Sequence, residues 1–340
     1  MPTRQLRAGG KKLSSSQRQY RSDFPAGFIK PQLCELVKSP PVGDNWVHEA
    51  KLDGYRMQMQ VRSGKSSFYS RKGLDWTHRF PEIARACEAL GNAIIDGEVC
   101  AVGNDGLPTF AGLTDALSAK RTGALVYYVF DLMAEDTERL IPYPLSTRKK
   151  ALKQLIKKVK RGDRERVVYV DHHQGDGKAM HEAACKMGLE GIVSKRIDAA
   201  YQPDDRSGVW CKAKCRASQE LVVGGWKTTG PAFRSLIVGA YRGGKFVHAG
   251  TVGTGFNARN LPQLMAALKT RASSKRPFDN PGQPKASRDV HWVEPTLVIE
   301  AEIASWTSDN LVRQASYKGL REDKKAKDVV VERAQRPPPD

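Results

Sequence analysis

From residue 55 the chain alternates strictly: Tyr55, Met57, Met59 and Val61 are apolar, while Arg56, Gln58, Gln60 and Arg62 between them are polar. A period of two sends successive side chains to opposite faces, so the stretch predicts a half-buried β-strand. Runs at 67–71, 93–102 and 125–131 predict its neighbours. Helical spacing takes over at 81–90 and at 146–160, where Leu152, Leu155, Ile156 and Val159 form one apolar stripe behind a Ser/Thr cap. A third helix is expected at 178–187, followed by strands at 191–196 and 209–213. Interleaved strands and helices predict an α+β sheet domain ending near residue 217.

Beyond it the texture is mostly strand. Stretches at 221–226, 235–241 and 245–252 read as strands, the last two joined at Gly243-Gly244 as a hairpin. A helix follows from Asn257, with Leu261, Leu264, Met265 and Leu268 on one face. A Pro-rich basic loop precedes a last strand pair at 291–304 and 311–317. Five strands with a helix after the third predict a small OB-fold β-barrel. Residues 1–27 are basic and rich in Ser, Gly and Gln, which predicts a disordered basic arm. The chain therefore divides into that arm, a sheet domain at 28–217, a barrel domain at 218–327, and a tail at 328–340 expected to fray.

Composition narrows the class. With 340 residues and 40% hydrophobic side chains, each domain has a core to bury. A formal net charge of +19 favours a polyanionic partner. The six cysteines, at 34, 87, 100, 185, 211 and 215, form no C-x-x-C pair and lack a zinc-finger histidine pair. They read as small buried residues in a reducing compartment. No apolar run reaches membrane-spanning length and no signal-peptide core is visible, so a soluble, cytoplasmic protein is expected.

The chemistry sits in short strings in a fixed order: Lys51-Leu52-Asp53-Gly54-Tyr55-Arg56, Ser70-Arg71-Lys72-Gly73, Asp96-Gly97-Glu98, Glu190-Gly191-Ile192-Val193-Ser194-Lys195, Trp210-Cys211-Lys212-Ala213-Lys214 and Arg321-Glu322-Asp323-Lys324. A lysine amine can attack the α-phosphorus of a nucleoside triphosphate, expel pyrophosphate and keep the nucleotide as a phosphoramidate. A free lysine, with a pKa near 10.4, is neutral in only about one molecule in a few thousand at pH 7. Cations beside Lys51, Arg56 and a divalent metal among them, are expected to favour the neutral amine.

The ordered series resembles the motif set of the covalent nucleotidyltransferases: ATP-dependent DNA ligases, RNA ligases and mRNA-capping guanylyltransferases. Longer strings narrow it. Phe28-Ile29-Lys30-Pro31-Gln32-Leu33, Asp75-Trp76-Thr77-His78-Arg79-Phe80-Pro81, Gln219-Glu220-Leu221-Val222-Val223-Gly224-Gly225-Trp226, Gly250-Thr251-Val252-Gly253-Thr254-Gly255-Phe256 and Ser316-Tyr317-Lys318-Gly319-Leu320 resemble the ligase module of bacterial non-homologous end-joining DNA ligases. The likeness covers about residues 28 to 325. His78 departs from the acidic or amide residue usual there. A stand-alone two-domain core is expected, without the polymerase and phosphoesterase modules often fused to it.

The resemblance implies an adenylation domain plus an OB-fold domain, ATP as substrate, and Mg²⁺ or Mn²⁺. It makes Lys51 the nucleophile and has Lys212 and Lys214 stabilise charge on the α-phosphate. Glu49 would read the adenine amino edge and Phe130 would stack on the base. Arg56 and Arg71 would hold ribose and phosphate, and Glu98 the ribose or, with Asp53 and Glu190, the metal. Arg321 and Lys324 would meet the outgoing pyrophosphate when the second domain closes, so that domain acts as a moving lid. The implied partner is nicked or broken double-stranded DNA, with a Ku-like end-binding protein as possible recruiter, and the enzyme works as a nucleoid-associated monomer. Two other readings are a GTP-dependent mRNA-capping guanylyltransferase, which the end-joining strings oppose, and a non-catalytic basic OB-fold nucleic-acid binder, which the intact motif residues oppose.

Overall fold

The computed structural model describes residues 25, 27–280, 287–307, 309–332, 335 and 337–338. In its first half the main strands are β1 (Glu35–Val37), β2 (Trp46–Ala50), β3 (Tyr55–Arg62), β4 (Lys65–Ser70), β5 (Ala93–Val102), β6 (Val126–Glu135), β7 (Gly191–Arg196) and β8 (Trp210–Lys214). Helices α1 (Pro81–Cys87), α2 (Phe110–Ser118), α3 (Leu145–Leu155) and α4 (Gly177–Lys186) join them. One sheet runs antiparallel in the order β4-β3-β5-β6; the other runs β1-β8-β7-β2 and ends on the short strand His173–Gln174. The nucleophile string lies between them, leaving β2 and entering β3.

The alternation in β3 holds on one face. Tyr55, Met57, Met59 and Val61 are buried in the main core, but Gln58 and Gln60 are buried too. The preceding chain covers them: Gln58 exchanges two hydrogen bonds with the Ile29 backbone (3.1 and 2.6 Å), and Gln60 Nε2 donates to the Gly27 carbonyl at 2.8 Å. Each buried amide thus finds backbone partners in place of water. Of the arm expected at 1–27, only Pro25 and Gly27 lie among the described residues, and both carbonyls accept from β3 side chains.

Two helices differ from expectation. α3 starts on Pro144 without a Ser/Thr cap, because the Leu145 and Ser146 N–H groups donate to the Ala199 and Ile197 carbonyls (2.9 Å each). α2, which periodicity did not suggest, is capped by Thr109 accepting from Gly112 N–H.

The second half contains β9 (Ser218–Thr229), β10 (Ala232–Arg242), β11 (Lys245–Thr254), α5 (Leu261–Lys269), β12 (Val298–Glu302) and β13 (Ala315–Leu320). Pairings β9-β10-β11-β13-β12 and back to β9 close a five-stranded barrel, the OB-like region expected of this α+β chain. Gly243 and Gly244 turn the β10–β11 hairpin with φ of 55° and 79°. Leu264 and Leu268 of α5 pack with Leu221, Val223, Leu236 and Ile299 in the barrel core.

The barrel docks on the first domain. Tyr55 Oη donates to the Leu320 carbonyl at 2.9 Å, Lys318 Nζ reaches Asp53 at 2.5 Å, and Lys72 pairs with Asp328 at 3.0 Å. The tail does not fray over its described start. Val329 is 1% exposed in an apolar cluster with Val222, Phe246 and Phe278, and Glu332 is ion-paired. Tail residues 333, 334, 336, 339 and 340 lie outside the described residues. Cys87, Cys100 and Cys211 are free and buried as expected, Cys34 is free but only half-buried, and the expectation fails for Cys185 and Cys215, which form a disulfide. The end of α4 lies against the end of β8, bringing their Cα atoms to 5.2 Å, and a spacing of 30 residues gave no sign of it. Among the described residues no helix is long and apolar enough to cross a membrane.

Candidate active site

Every residue singled out by the motifs lines one cavity between the two sheets and the barrel: Lys51, Lys212 and Lys214; Glu49, Arg56, Arg71, Glu98, Phe130, Arg321 and Lys324; Asp53 and Glu190. Two glycines set its walls. At Gly54 a Cβ would lie 2.2 Å from the Val99 carbonyl oxygen, so only glycine lets the chain pass from Asp53 into β3 this close to β5. Gly191, at φ 149°, would put a Cβ 2.1 Å from the Ala213 carbonyl oxygen. That close approach sets Glu190 beside Lys214.

Lys51 Nζ donates to Glu190 Oε2 at 2.6 Å. Burial favours the neutral amine, but Glu190, Asp53 and Glu98 outweigh it and hold the ammonium well above its ordinary pKa. This corrects the expectation that the surrounding protein cations lower it. Arg56 lines the cavity with its Nε and Nη2 bidentate on Asp96 at 3.0 and 2.6 Å and its Nη1 on the Gln32 carbonyl at 2.6 Å. For Glu190, burial pushes the carboxyl up, but Lys51, Lys214 and Lys318 overcome it and bring it down to about 2. Among the described residues Glu98 has no ion pair; burial dominates there, against Lys51, Arg321 and Arg56, and its carboxyl is pushed up to about 7.

Asp53, Glu98 and Glu190 face the same space without converging. Among the described residues the one trio of His, Cys, Asp or Glu donors within 4.8 Å of one another is His181, Cys185 and Cys215, whose sulfurs are already joined. Hard oxygen donors spread around a cavity nevertheless fit Mg²⁺ or Mn²⁺, which take one or two carboxylates and complete their shell with waters and phosphate oxygens.

Lys212 and Lys214 project from one side of β8 while Cys211 and Ala213 are buried opposite, as alternation requires. Lys214 Nζ donates to Ser218 Oγ at 2.8 Å and to its carbonyl at 3.0 Å, and lies 3.9 Å from Glu190. Lys212 Nζ is held by Glu332, at 2.7 and 2.8 Å from its two oxygens. From the barrel, Arg321 is bidentate on Asp323 (2.9 and 2.8 Å) and within 3.6 and 3.8 Å of Glu300 and Glu220; Lys324 pairs with Glu220. Arg321 also lies over the Tyr55 and Phe110 rings, 5.3 and 5.1 Å from their centroids. The barrel is thus closed over the site.

The base end is more crowded than the motifs suggested. Glu49 is buried, with Lys149 on one oxygen and Lys195 at 2.6 Å on the other. Lys195 Nζ in turn lies 4.3 Å from the centroid of Phe130 and 4.2 Å from that of Trp210. Burial, aided by Lys149, lowers the Lys195 pKa against the pull of Glu49. The motif reading missed Asp96, Lys149, Lys195, Trp210, Lys318 and Glu332 as parts of this site. Asp96, Lys195 and Trp210 stand in strings already singled out and Lys318 in a longer one, so a signal was present; for Lys149 and Glu332 there was none.

Two family patterns match the chain: "ATP dependent DNA ligase domain" over residues 31–214 and "ATP dependent DNA ligase C terminal region" over residues 229–324. The chain is 33% identical over 320 residues to the multifunctional non-homologous end joining protein LigD of Pseudomonas aeruginosa, with 92% of this chain and 38% of that protein covered. Against the protein of the same name from Mycolicibacterium smegmatis the identity is 33% over 329 residues, covering 94% and 42%. The chain thus spans about two fifths of the length of these curated relatives. The solved structure of a mycobacterial DNA ligase D complexed with ATP and MES superposes with a TM-score of 0.67 at 30% identity, covering 89% of this chain and 98% of that one.

Proposed function

This chain belongs to the ATP-dependent DNA ligases, near the ligase domains of the end-joining LigD proteins, and from that premise we propose that it seals DNA breaks through a lysyl-AMP intermediate. The observation that carries the proposal is the Lys51 amine, set against Glu190 at 2.6 Å in a cavity whose other groups suit a nucleoside triphosphate. Lys51 attacks the α-phosphorus of ATP and pyrophosphate leaves. The AMP then passes to a 5′-phosphate at the break, and the adjoining 3′-hydroxyl displaces it. For the amine to attack, its proton must leave to solvent, and Glu190 accepts the hydrogen bond that aims the amine. Lys212 and Lys214 stabilise negative charge on the α-phosphate as pyrophosphate departs.

Phe130 and Trp210 form the aromatic wall for the base, and Glu49, although paired with two lysines, keeps lone pairs to accept from the adenine amino group. Arg56 and Arg71 hold ribose and phosphate. Asp53 and Glu190, with Glu98 either beside them or on the ribose, would hold a divalent ion, Mg²⁺ or Mn²⁺, which would neutralise triphosphate charge when bound. Arg321 and Lys324 bring the barrel's cations to the pyrophosphate, and we place the hinge for barrel opening at 215–217, between β8 and β9. The substrate is nicked or broken duplex DNA, to which the charge of +19 draws the protein, with a Ku-like protein as recruiter and the ligase acting as a monomer.

Sealing of a nicked duplex by the purified chain with a divalent ion tests the proposal. ATP is expected to support it far better than GTP. Equal use of both nucleotides, or no sealing with either, would refute it.

A further inference from the structure

Among the charged side chains that line the cavity without a part in the reaction above is Glu332. After β13 the chain turns under the barrel, buries Ala326 and Val329 there, and then crosses to the first domain. It joins the edge of the β1 sheet, where Gln335 N–H donates to the Leu36 carbonyl at 2.8 Å and Lys38 N–H to the Gln335 carbonyl at 3.2 Å. Between those anchors Glu332 turns into the cavity. Its two oxygens accept from Lys212 Nζ at 2.8 and 2.7 Å, and Oε1 also accepts from Arg206 Nη1 at 3.0 Å. Gln219 clamps the backbone from both sides: its Oε1 accepts from Glu332 N–H at 3.1 Å and its Nε2 donates to the Val330 carbonyl at 2.9 Å.

The chemistry of this contact is that of a bound oxyanion. A carboxylate held between an ammonium and a guanidinium presents the same charge and acceptor geometry as two oxygens of a phosphate. The Glu332 side chain is 19% exposed and that of Lys212 16%. Burial acts to raise the Glu332 carboxyl, yet Lys212 and Lys214 outweigh it and drive it far below the usual range, so it stays anionic. An anion this firmly seated on Lys212 competes with any other anion for the same lysine.

We propose that Glu332 is a positioning residue acting through Lys212: the segment Val329–Glu332 keeps that lysine occupied by an internal anion, which a nucleotide phosphate must displace. The proposal rests on the ligase reading for its consequence, a raised demand for ATP. It goes beyond that reading in assigning the C-terminal strap a role in nucleotide entry.

The test uses the full chain and measures transfer of label from α-labelled ATP to protein as a function of ATP concentration. Glu332→Gln is expected to lower the KM for ATP by about 5- to 20-fold, while the maximal rate changes by less than about twofold. Glu332→Asp, which keeps the anion, is expected to restore a KM near wild type. A chain ending at Val330, which retains the buried Val329, should behave like Glu332→Gln. A KM unchanged or raised in both Glu332→Gln and the shortened chain overturns the proposal, since a purely structural pair would change stability and leave the KM where it was. Calorimetric titration with AMP, whose phosphate is the α-phosphate that Lys212 meets, reads the strap without any turnover: Glu332→Gln should bind it about 5-fold or more tightly than wild type, and equal affinity overturns the proposal. Absence of label on the wild-type protein would sink the ligase reading instead, and the titration would still decide the role of Glu332.

Discussion

Two ion pairs in the first domain, one buried and one half-buried, show opposite uses of the same interaction. Arg148 and Asp131 are wholly shielded from solvent; Arg148 meets both carboxylate oxygens at 2.7 and 2.9 Å and spends Nη1 on the Tyr143 and Ala199 carbonyls. Asp131 Oδ1 also accepts from the Leu132 N–H at 2.8 Å. Nearly every donor and acceptor is used, so the pair ties α3 to β6 and has no capacity for a ligand. Lys51 and Glu190 share a single contact, their side chains are 20% and 10% exposed, and further cations and carboxylates stand close by. Saturation marks scaffold; an unsaturated pair among surplus charges can exchange partners, which is what nucleophilic chemistry requires.

The comparison breaks or sharpens at three sites. Lys51→Ala should reduce nick sealing to background while shifting the melting temperature by no more than about 3 °C, because Lys214 and Lys318 still face Glu190. A large loss of stability in that variant would make Lys51 a structural residue. Arg148→Ala should do the reverse and cost about 3–5 kcal/mol in urea denaturation, since it strands the Asp131 charge without a partner. A cost under about 1 kcal/mol would show that saturation does not distinguish the two pairs.

Glu98 gives the smallest and most pH-dependent effect. Its folded-state pKa is about 7 against an ordinary 4.5. The folded protein therefore keeps a proton that the unfolded chain releases, and the stability tied to it is full below about pH 4.5 and lost as the pH rises through 7. Glu98→Gln should accordingly be about 2 kcal/mol more stable than wild type at pH 8 and nearly equal to it at pH 4.5. A difference independent of pH would mean that the carboxyl is not held in its neutral form.

Much of the fold and of the cavity's lining was legible in the amino-acid order, and the remainder has a physical reason for its silence. The closed barrel followed from strand spacing and the Gly243-Gly244 turn, because both are local. The motif residues share one cavity because the short strings lie on strands or just beyond them, where backbone position directs a side chain. Their partners could not be read in the same way. Lys149 reaches Glu49 across 100 residues, Lys318 reaches Asp53 across 265, and Glu332 reaches Lys212 across 120. Periodicity carries no information about contacts made only when separate elements pack together. Gln58 and Gln60 make the same point on a smaller scale: the polar face of β3 was visible, but the segment that buries it was not. The Cys185–Cys215 bridge likewise depends on where α4 ends against β8.

The most direct test of the claim that the Lys51 pair is the exchangeable one is peptide mapping by mass spectrometry after incubation with ATP and Mg²⁺. One AMP per chain, carried on the peptide containing Lys51, is the predicted result. AMP on Lys195, Lys212 or any other lysine, or no AMP at all, would contradict it.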